Sequence, residues 1–302
     1  MYSTMDNIDG KQARRTGSSS PLGELFDHGI DSLNCTLASL LETASMAAGP
    51  TRLGAFLALC PCLAMFFSTW ETYHTHTLYL GYFNGPTEGL LIASLLMVAS
   101  GYFGPQIWEQ KLVDFVGHPE IVGSYNLRDI WMPIALGAFF IAHLPGCVYH
   151  VVKARRAADL PVLPVFLEWT PMLLYTGSII AWLGSDDSHL LKDNHLVLFC
   201  LTMSLVFGRL TTKIILNHLT RQPFPYWTVL LLPLIVGAIL GNLPKFGYDA
   251  IPAEQELLYL QVYYFFALSV YSSWAWRVIE NICRFLDINC LTIKRKDGKK
   301  QL

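Results

Sequence analysis

Four aspartates, two basic side chains and a histidine lie near the amino-terminal edge of an otherwise apolar chain: Asp6, Asp9, Lys11, Arg14, Asp27, His28 and Asp31. Ionisable groups at or near membrane depth are costly, and they mark a functional site by default. The spacing sharpens the case. Asp6 and Asp9 are three apart and share a face of a helix; Asp27 and Asp31 are four apart and do the same on a second helix. Two such helices side by side would aim four carboxylates at one small volume, and they could not all stay ionised without cations. A hard, oxygen-seeking divalent ion such as Mg²⁺, Mn²⁺ or Ca²⁺ is the natural partner.

The neighbours extend that chemistry. Gly10 and Ala13 are three apart, and Gly23 lies four before Asp27; small residues here let a backbone or a ligand come close. Arg14 offers a flat fork and Lys11 a point charge, both suited to phosphate. Carboxylates, a divalent ion and basic side chains together read as a site for a phosphate ester. His28 titrates near neutrality, so it can take a proton where a metal-bound aspartate cannot do so easily. The competing reading, that such aspartates only cap helices or face solvent, does not account for Gly, Ala and Arg standing in the same register.

The pattern Asp6-x-x-Asp9-Gly10-x-x-Ala13-Arg14, eight residues, then Gly23-x-x-x-Asp27-x-x-x-Asp31 resembles the complete signature of the CDP-alcohol phosphotransferases. The fuller text around it, with Trp70-Glu71-x-Tyr73-His74-Thr75 and Tyr82-Phe83-Asn84-Gly85-Pro86-Thr87-Glu88-Gly89, is similar to the choline/ethanolamine phosphotransferase branch. The resemblance implies that Asp6, Asp9, Asp27 and Asp31 hold two divalent ions, Mg²⁺ or Mn²⁺. It implies that Asn7, Gly10, Lys11, Ala13, Arg14 and Gly23 bind the donor. It makes His28, oriented by Glu88, the candidate base, with Asp31 as runner-up. It further implies CDP-choline or CDP-ethanolamine as donor, diacylglycerol as acceptor, and residence in endoplasmic reticulum or Golgi membrane. A homodimer is compatible with it, and so is either head group.

The elements that must position these residues follow from composition. The chain has 302 residues, 53% hydrophobic and 15% charged, with a mean hydropathy of +0.38. That is too apolar for an ordinary soluble domain. The net charge of −2 and the lack of a basic motif give no reason to expect a nucleic-acid partner. The seven cysteines are scattered through apolar runs, as small buried hydrophobes rather than metal ligands or disulfides.

The expected fold is all-α, a polytopic transmembrane helix bundle forming one domain over 1–302, with a basic tail at 285–302. Apolar spans are expected at about 23–48, 53–70, 86–108, 130–152, 165–183, 196–215, 227–243 and 257–278, eight in all, each near the 20 residues a crossing needs. No cleavable signal peptide is expected. Only five residues precede Asp6, whereas the resemblance implies a full helix there and another before it; an N-terminally truncated chain is therefore expected. A silent lipid- or partner-binding protein is the alternative function, and a cation transporter a weaker one. Counting crossings puts Lys11, Arg14, Arg15, Lys153, Arg155, Arg156, Lys213, Arg221 and Arg284 on the signature's side, which the positive-inside rule assigns to the cytosol. The same count places Glu71, His74 and Glu88 there. Glu71 and His74 could simply cap or hydrogen-bond, and His143 reads as a satisfied core histidine.

Overall fold

The computed structural model describes residues 2–77, 79, 89–118 and 123–292, with residues 2–7 described by backbone alone. Glu88, the rest of the 80–88 segment and the basic tail from 293 onward lie outside the described residues. Among the described residues the chain is helical and has no strand, only an isolated bridge between Lys111 and Asn126. The helices are α1 (Tyr2–Thr16), α2 (Pro21–Ser45), α3 (Arg52–Thr75), α4 (Leu90–Phe103), α5 (Leu127–Ala157), α6 (Leu163–Leu183), α7 (Leu196–Leu219), α8 (Leu231–Leu240) and α9 (Ala253–Leu286).

Each of the eight expected spans contains a helix among the described residues, and the polytopic helical class holds. Four of them, α3, α5, α6 and α7, are long and apolar enough to cross a membrane on their own measure. The ends differ from the expected ones for local reasons. Gly104, at φ +85°, stops α4 before Pro105, a left-handed backbone that glycine adopts freely. Within α5, residues Ala138–His143 widen into a π turn directly before Pro145, where a missing N–H breaks the regular ladder. In α3 the chain kinks between Leu59 and Pro61 for the same reason. α8 spans only ten residues, about 15 Å.

α7 is the central post. It packs against α2, α3 and α9, and Phe199, Met203, Phe207 and Ile214 along it are fully buried. Inside a bilayer close packing replaces the hydrophobic drive, and the α2–α7 seam is built for it. The buried positions of α2 are Leu22, Leu25, Gly29, Ser32, Thr36, Ser39 and Thr43, a three-four alternation that keeps one stripe against a neighbour. Four of the seven carry hydroxyls, and these find partners within α2 or on α3. Ser32 donates to His28 O at 2.7 Å, Ser39 to Cys35 O at 2.7 Å and Thr43 to Ser39 O at 2.8 Å, while Thr36 Oγ1 lies 3.3 Å from Cys62 Sγ. From α7, Ser204 donates to Leu33 O at 2.8 Å. A Cβ at Gly208 would lie 2.6 Å from Leu33 Cδ2, so a larger residue there would push the Leu33 side chain aside.

Candidate active site

The two halves of the aspartate pattern lie on two helices joined by the short link 17–20. Gly17, at φ +64°, ends α1, and Ser18 N donates to Ala13 O at 2.9 Å across the reversal. Ser20 then caps α2: its backbone is extended, and its Oγ accepts from Gly23 N at 3.2 Å, with Pro21 in the first turn. Both features are helix-boundary chemistry. They fix where Gly23, Asp27 and Asp31 begin along α2.

On α2 the buried seam, a bilayer-type stripe and a polar stripe divide the surface. Ile30, Leu37 and Leu41 are exposed. Glu24, Asp27, His28, Asp31 and Asn34 are half-buried, between the apolar exterior and the core. On α1, Asp9, Lys11 and Arg14 are exposed, and Asp9 accepts from Gly10 N. The Arg14 guanidinium folds back over Gly10: a Cβ there would come 3.5 Å from Arg14 Nη1. A bare backbone next to a guanidinium is an arrangement that a phosphate oxygen can use. Asp6 and Asn7 fall within α1, but their side chains are not described.

Among the described residues no three His, Cys, Asp or Glu side chains converge as a metal site, and Asp6 is outside that set. The donor chemistry nonetheless fits a hard divalent ion. The set is carboxylate oxygen throughout, and no thiol or imidazole is needed to complete it.

The same end of the bundle holds a second group of ionisable side chains. α3 runs back from α2, so its carboxyl end returns to the start of α2. There Glu71, almost fully buried, pairs with His150 Nδ1 of α5 and accepts from Cys147 Sγ at 3.5 Å. Glu168, at the start of α6, accepts from Trp70 Nε1 at 2.8 Å and pairs with His74 Nε2 at 2.6 Å. His76 stacks on His218 of α7 with ring centroids 4.9 Å apart, and Tyr73 donates to Gln222 O at 2.8 Å. His218 Nδ1 is buried without a partner among the described residues. In the segment after α7, burial, and then the charge of Glu168, pushes the Tyr226 phenol above its ordinary value.

Glu71 and His74 thus stand at the signature's end of the bundle, as hydrogen-bonded buried pairs rather than caps. His143 is a core histidine whose Nε2 lies 3.0 Å from Ala64 O. His150, Glu168 and His218 were not read from the sequence as site residues, although an ionisable residue inside an apolar span is the signal that would have found them. Beside the polar stripe, an apolar groove of about 180 Å³ opens between α2 and α9, lined by Phe26, Gly29, Ile30, Tyr271 and Trp274 among others.

Among the described residues this is a strand-free helical architecture, with several helices long and apolar enough to cross a membrane, the class of a polytopic helical membrane protein. A sequence profile of the CDP-alcohol phosphatidyltransferase family matches residues 1–114. A Dictyostelium discoideum protein named as uncharacterized CDP-alcohol phosphatidyltransferase class-I family protein 3 is 32% identical over 98% of this chain and 77% of its own length. Choline/ethanolaminephosphotransferase 2 of Arabidopsis thaliana is 32% identical, over 99% of this chain and 77% of its own. Cholinephosphotransferase 1 of Saccharomyces cerevisiae is 29% identical, over 97% and 76% respectively. The chain belongs to the CDP-alcohol phosphatidyltransferase family.

Proposed function

We propose that this chain, acting as one domain, transfers phosphocholine, phosphoethanolamine or both from the CDP-alcohol to diacylglycerol, releasing CMP. The observation that carries the reading is the unbroken aspartate pattern, divided between the end of α1 and the capped start of α2. Full-length similarity to proteins named as choline/ethanolaminephosphotransferases supports it.

In this reading the phosphate of the donor lies against Gly10 under the Arg14 guanidinium, with Lys11 adding charge. Gly10, Ala13 and Gly23 leave room for the nucleotide, and Asn7 adds a polar contact. Asp6, Asp9, Asp27 and Asp31 would hold two Mg²⁺ or Mn²⁺ ions, which when bound neutralise charge on the diphosphate and on the leaving CMP. The lipid hydroxyl oxygen forms a bond to the β-phosphorus while the bond from that phosphorus to the bridging oxygen breaks. His28, which we pair with Glu88, takes the hydroxyl proton. Asp31 is the lesser candidate, because a metal-bound carboxylate is a weak base. The groove between α2 and α9 gives acyl chains a lateral approach beside His28. The basic residues Lys153, Arg155 and Arg156, which the crossing count puts on the signature's side, support a cytosolic site in an endoplasmic reticulum or Golgi membrane.

The test is transfer in liposomes of defined composition. Purified chain is supplied with diacylglycerol, labelled CDP-choline or CDP-ethanolamine, and Mg²⁺ or Mn²⁺. Labelled phospholipid and stoichiometric CMP are expected and name the head group. Lack of lipid product with both donors and both ions would overturn the reading.

A further inference from the structure

α7 presents two faces. Ser204, Gly208 and Thr212, each four apart, face α2 through Leu33 and Gly29. One residue further on, about 100° around the helix, stand Arg209 and Lys213. These turn instead toward α9 and the segment between α7 and α8. Arg209 Nε donates to Thr228 Oγ1 at 3.2 Å and Nη1 to Val270 O at 3.2 Å, and the guanidinium lies 5.1 Å from the centre of the Trp274 ring. Lys213 Nζ donates to Trp227 O at 2.8 Å.

Both side chains are half-buried, and both lie inside an apolar helix long enough to span a membrane. Every partner just named is neutral. Among the described residues neither cation is paired with a carboxylate, and the two lie four residues, about one turn, apart on α7. Two like charges one turn apart in a desolvated setting repel and are costly. Their carbonyl and hydroxyl partners fix the side chains in place but leave the charge uncompensated. Several donors on the guanidinium and ammonium also stay unused. The surroundings are apolar: Tyr226, Trp227 and Val229, on the segment that Lys213 and Arg209 touch, are all exposed, as is Phe266 one turn before Val270 on α9. Exposed aromatic and aliphatic side chains beside two cations on a membrane-spanning helix form a surface suited to lipid rather than to a water-soluble anion.

We propose that Arg209 and Lys213 form a binding site for the phosphate of an anionic phospholipid, seated between α7, α9 and the segment 220–230. The head group's phosphate neutralises the two cations, and its acyl chains lie against Trp227, Val229 and Phe266. This site meets the α2–α9 groove at Trp274, but it uses none of the signature's side chains and does not depend on the substrate reading above.

Native mass spectrometry from neutral detergent tests it, with an equimolar mixture of dioleoyl phosphatidic acid and dioleoyl phosphatidylcholine as the probe. The chain should retain one phosphatidic acid in preference to phosphatidylcholine. Arg209→Gln with Lys213→Gln should cut that preference about thirtyfold. Arg209→Lys, which keeps the charge, should retain most of it. Because Arg209 also ties α9 to the segment before α8, folding of the double variant is checked by its elution. If it does not fold, Lys213→Gln alone decides, with an expected loss of about fivefold. A folded double variant, or a Lys213→Gln variant, that keeps the wild-type preference overturns the proposal. So does complete displacement of phosphatidic acid by millimolar inorganic phosphate, which would make the site one for a free anion.

Discussion

Buried glutamates occur at both ends of this bundle, and they are held in opposite ways. At the signature's end, Glu71 and Glu168 are each matched to a histidine, His150 and His74. At the other end, Glu256 in the first turn of α9 accepts from three donors: Trp182 Nε1, Ser188 Oγ and His189 N, each at 2.7 Å. A carboxylate saturated by indole, hydroxyl and peptide N–H has nothing to exchange with, and it locks α9 to α6 and the loop after it. A carboxylate facing an imidazole can share or shift a proton, since the ring is able to donate or accept. The stripe of Glu24, Asp27, His28 and Asp31 stands at the end where ionisable partners gather. The far end is built for rigidity.

The comparison breaks if the signature's end proves merely structural. Asp27→Ala carries the largest expected effect, a loss of transfer of at least about a thousandfold, because a metal ligand and a charge vanish together. Thermal stability in detergent should hold, since Asp27 lies outside the buried seam of α2. A variant that melts early with normal activity per folded molecule would reverse the contrast. Next comes His28→Ala. We expect turnover to fall by about a hundredfold or more, the usual contribution of a general base, with binding of the CDP-alcohol nearly unchanged. Calorimetric titration of donor checks the second half. Collapsed donor binding would make His28 a binding residue and leave the base elsewhere.

The parts legible in the sequence were those written in local spacing. Asp6 to Asp31 is a short-range pattern, so its family and its place across two helix ends could be read directly. The spans were legible because an apolar run of about 20 residues has few other uses. Glu71 and His74 were noticed, but their roles were not, because the partners that decide those roles are distant in the chain. His150 is 79 residues from Glu71, and Glu168 is 94 from His74. No periodicity in one segment reports on such a pairing. The α2 seam was not read from the sequence at all, because what Ser32, Thr36, Ser39 and Thr43 face lies on other helices. Thr36 meets Cys62 and Thr43 meets Gly54 O on α3, while α7 closes on the neighbouring Gly29 and Leu33.

The rigid end gives the smaller effects, and they sharpen the contrast between the two kinds of glutamate. Glu256→Gln should cost about 2–3 kcal/mol. Each of its oxygens accepts from an N–H that cannot turn around, Trp182 Nε1 on Oε1 and His189 N on Oε2, so either amide orientation sets N–H against N–H. Glu168→Gln should cost less, about 1 kcal/mol. Trp70 and His74 both meet one oxygen, Oε2, so the amide carbonyl can take that place. Melting temperatures followed by size-exclusion elution rank the two, and an equal loss would mean that the histidine partner brings no tolerance.

Arg52→Ala is the smallest effect expected, although its ion pair looks as good as any in the molecule. Arg52 Nη2 lies 2.5 Å from Asp186 Oδ1 and donates to Gly184 O at 3.0 Å. The side chains are 64% and 93% exposed, however, so water and salt screen the attraction, and ordering two long side chains offsets much of what remains. A change within about 0.5 kcal/mol is expected, with transfer activity unaltered. The same melting assay at low and at high salt checks it. A loss comparable to that of Glu256→Gln would show that this end is held by surface charge as well as by its buried carboxylate, and the division between a rigid and a proton-sharing end would have to be redrawn around Asp186.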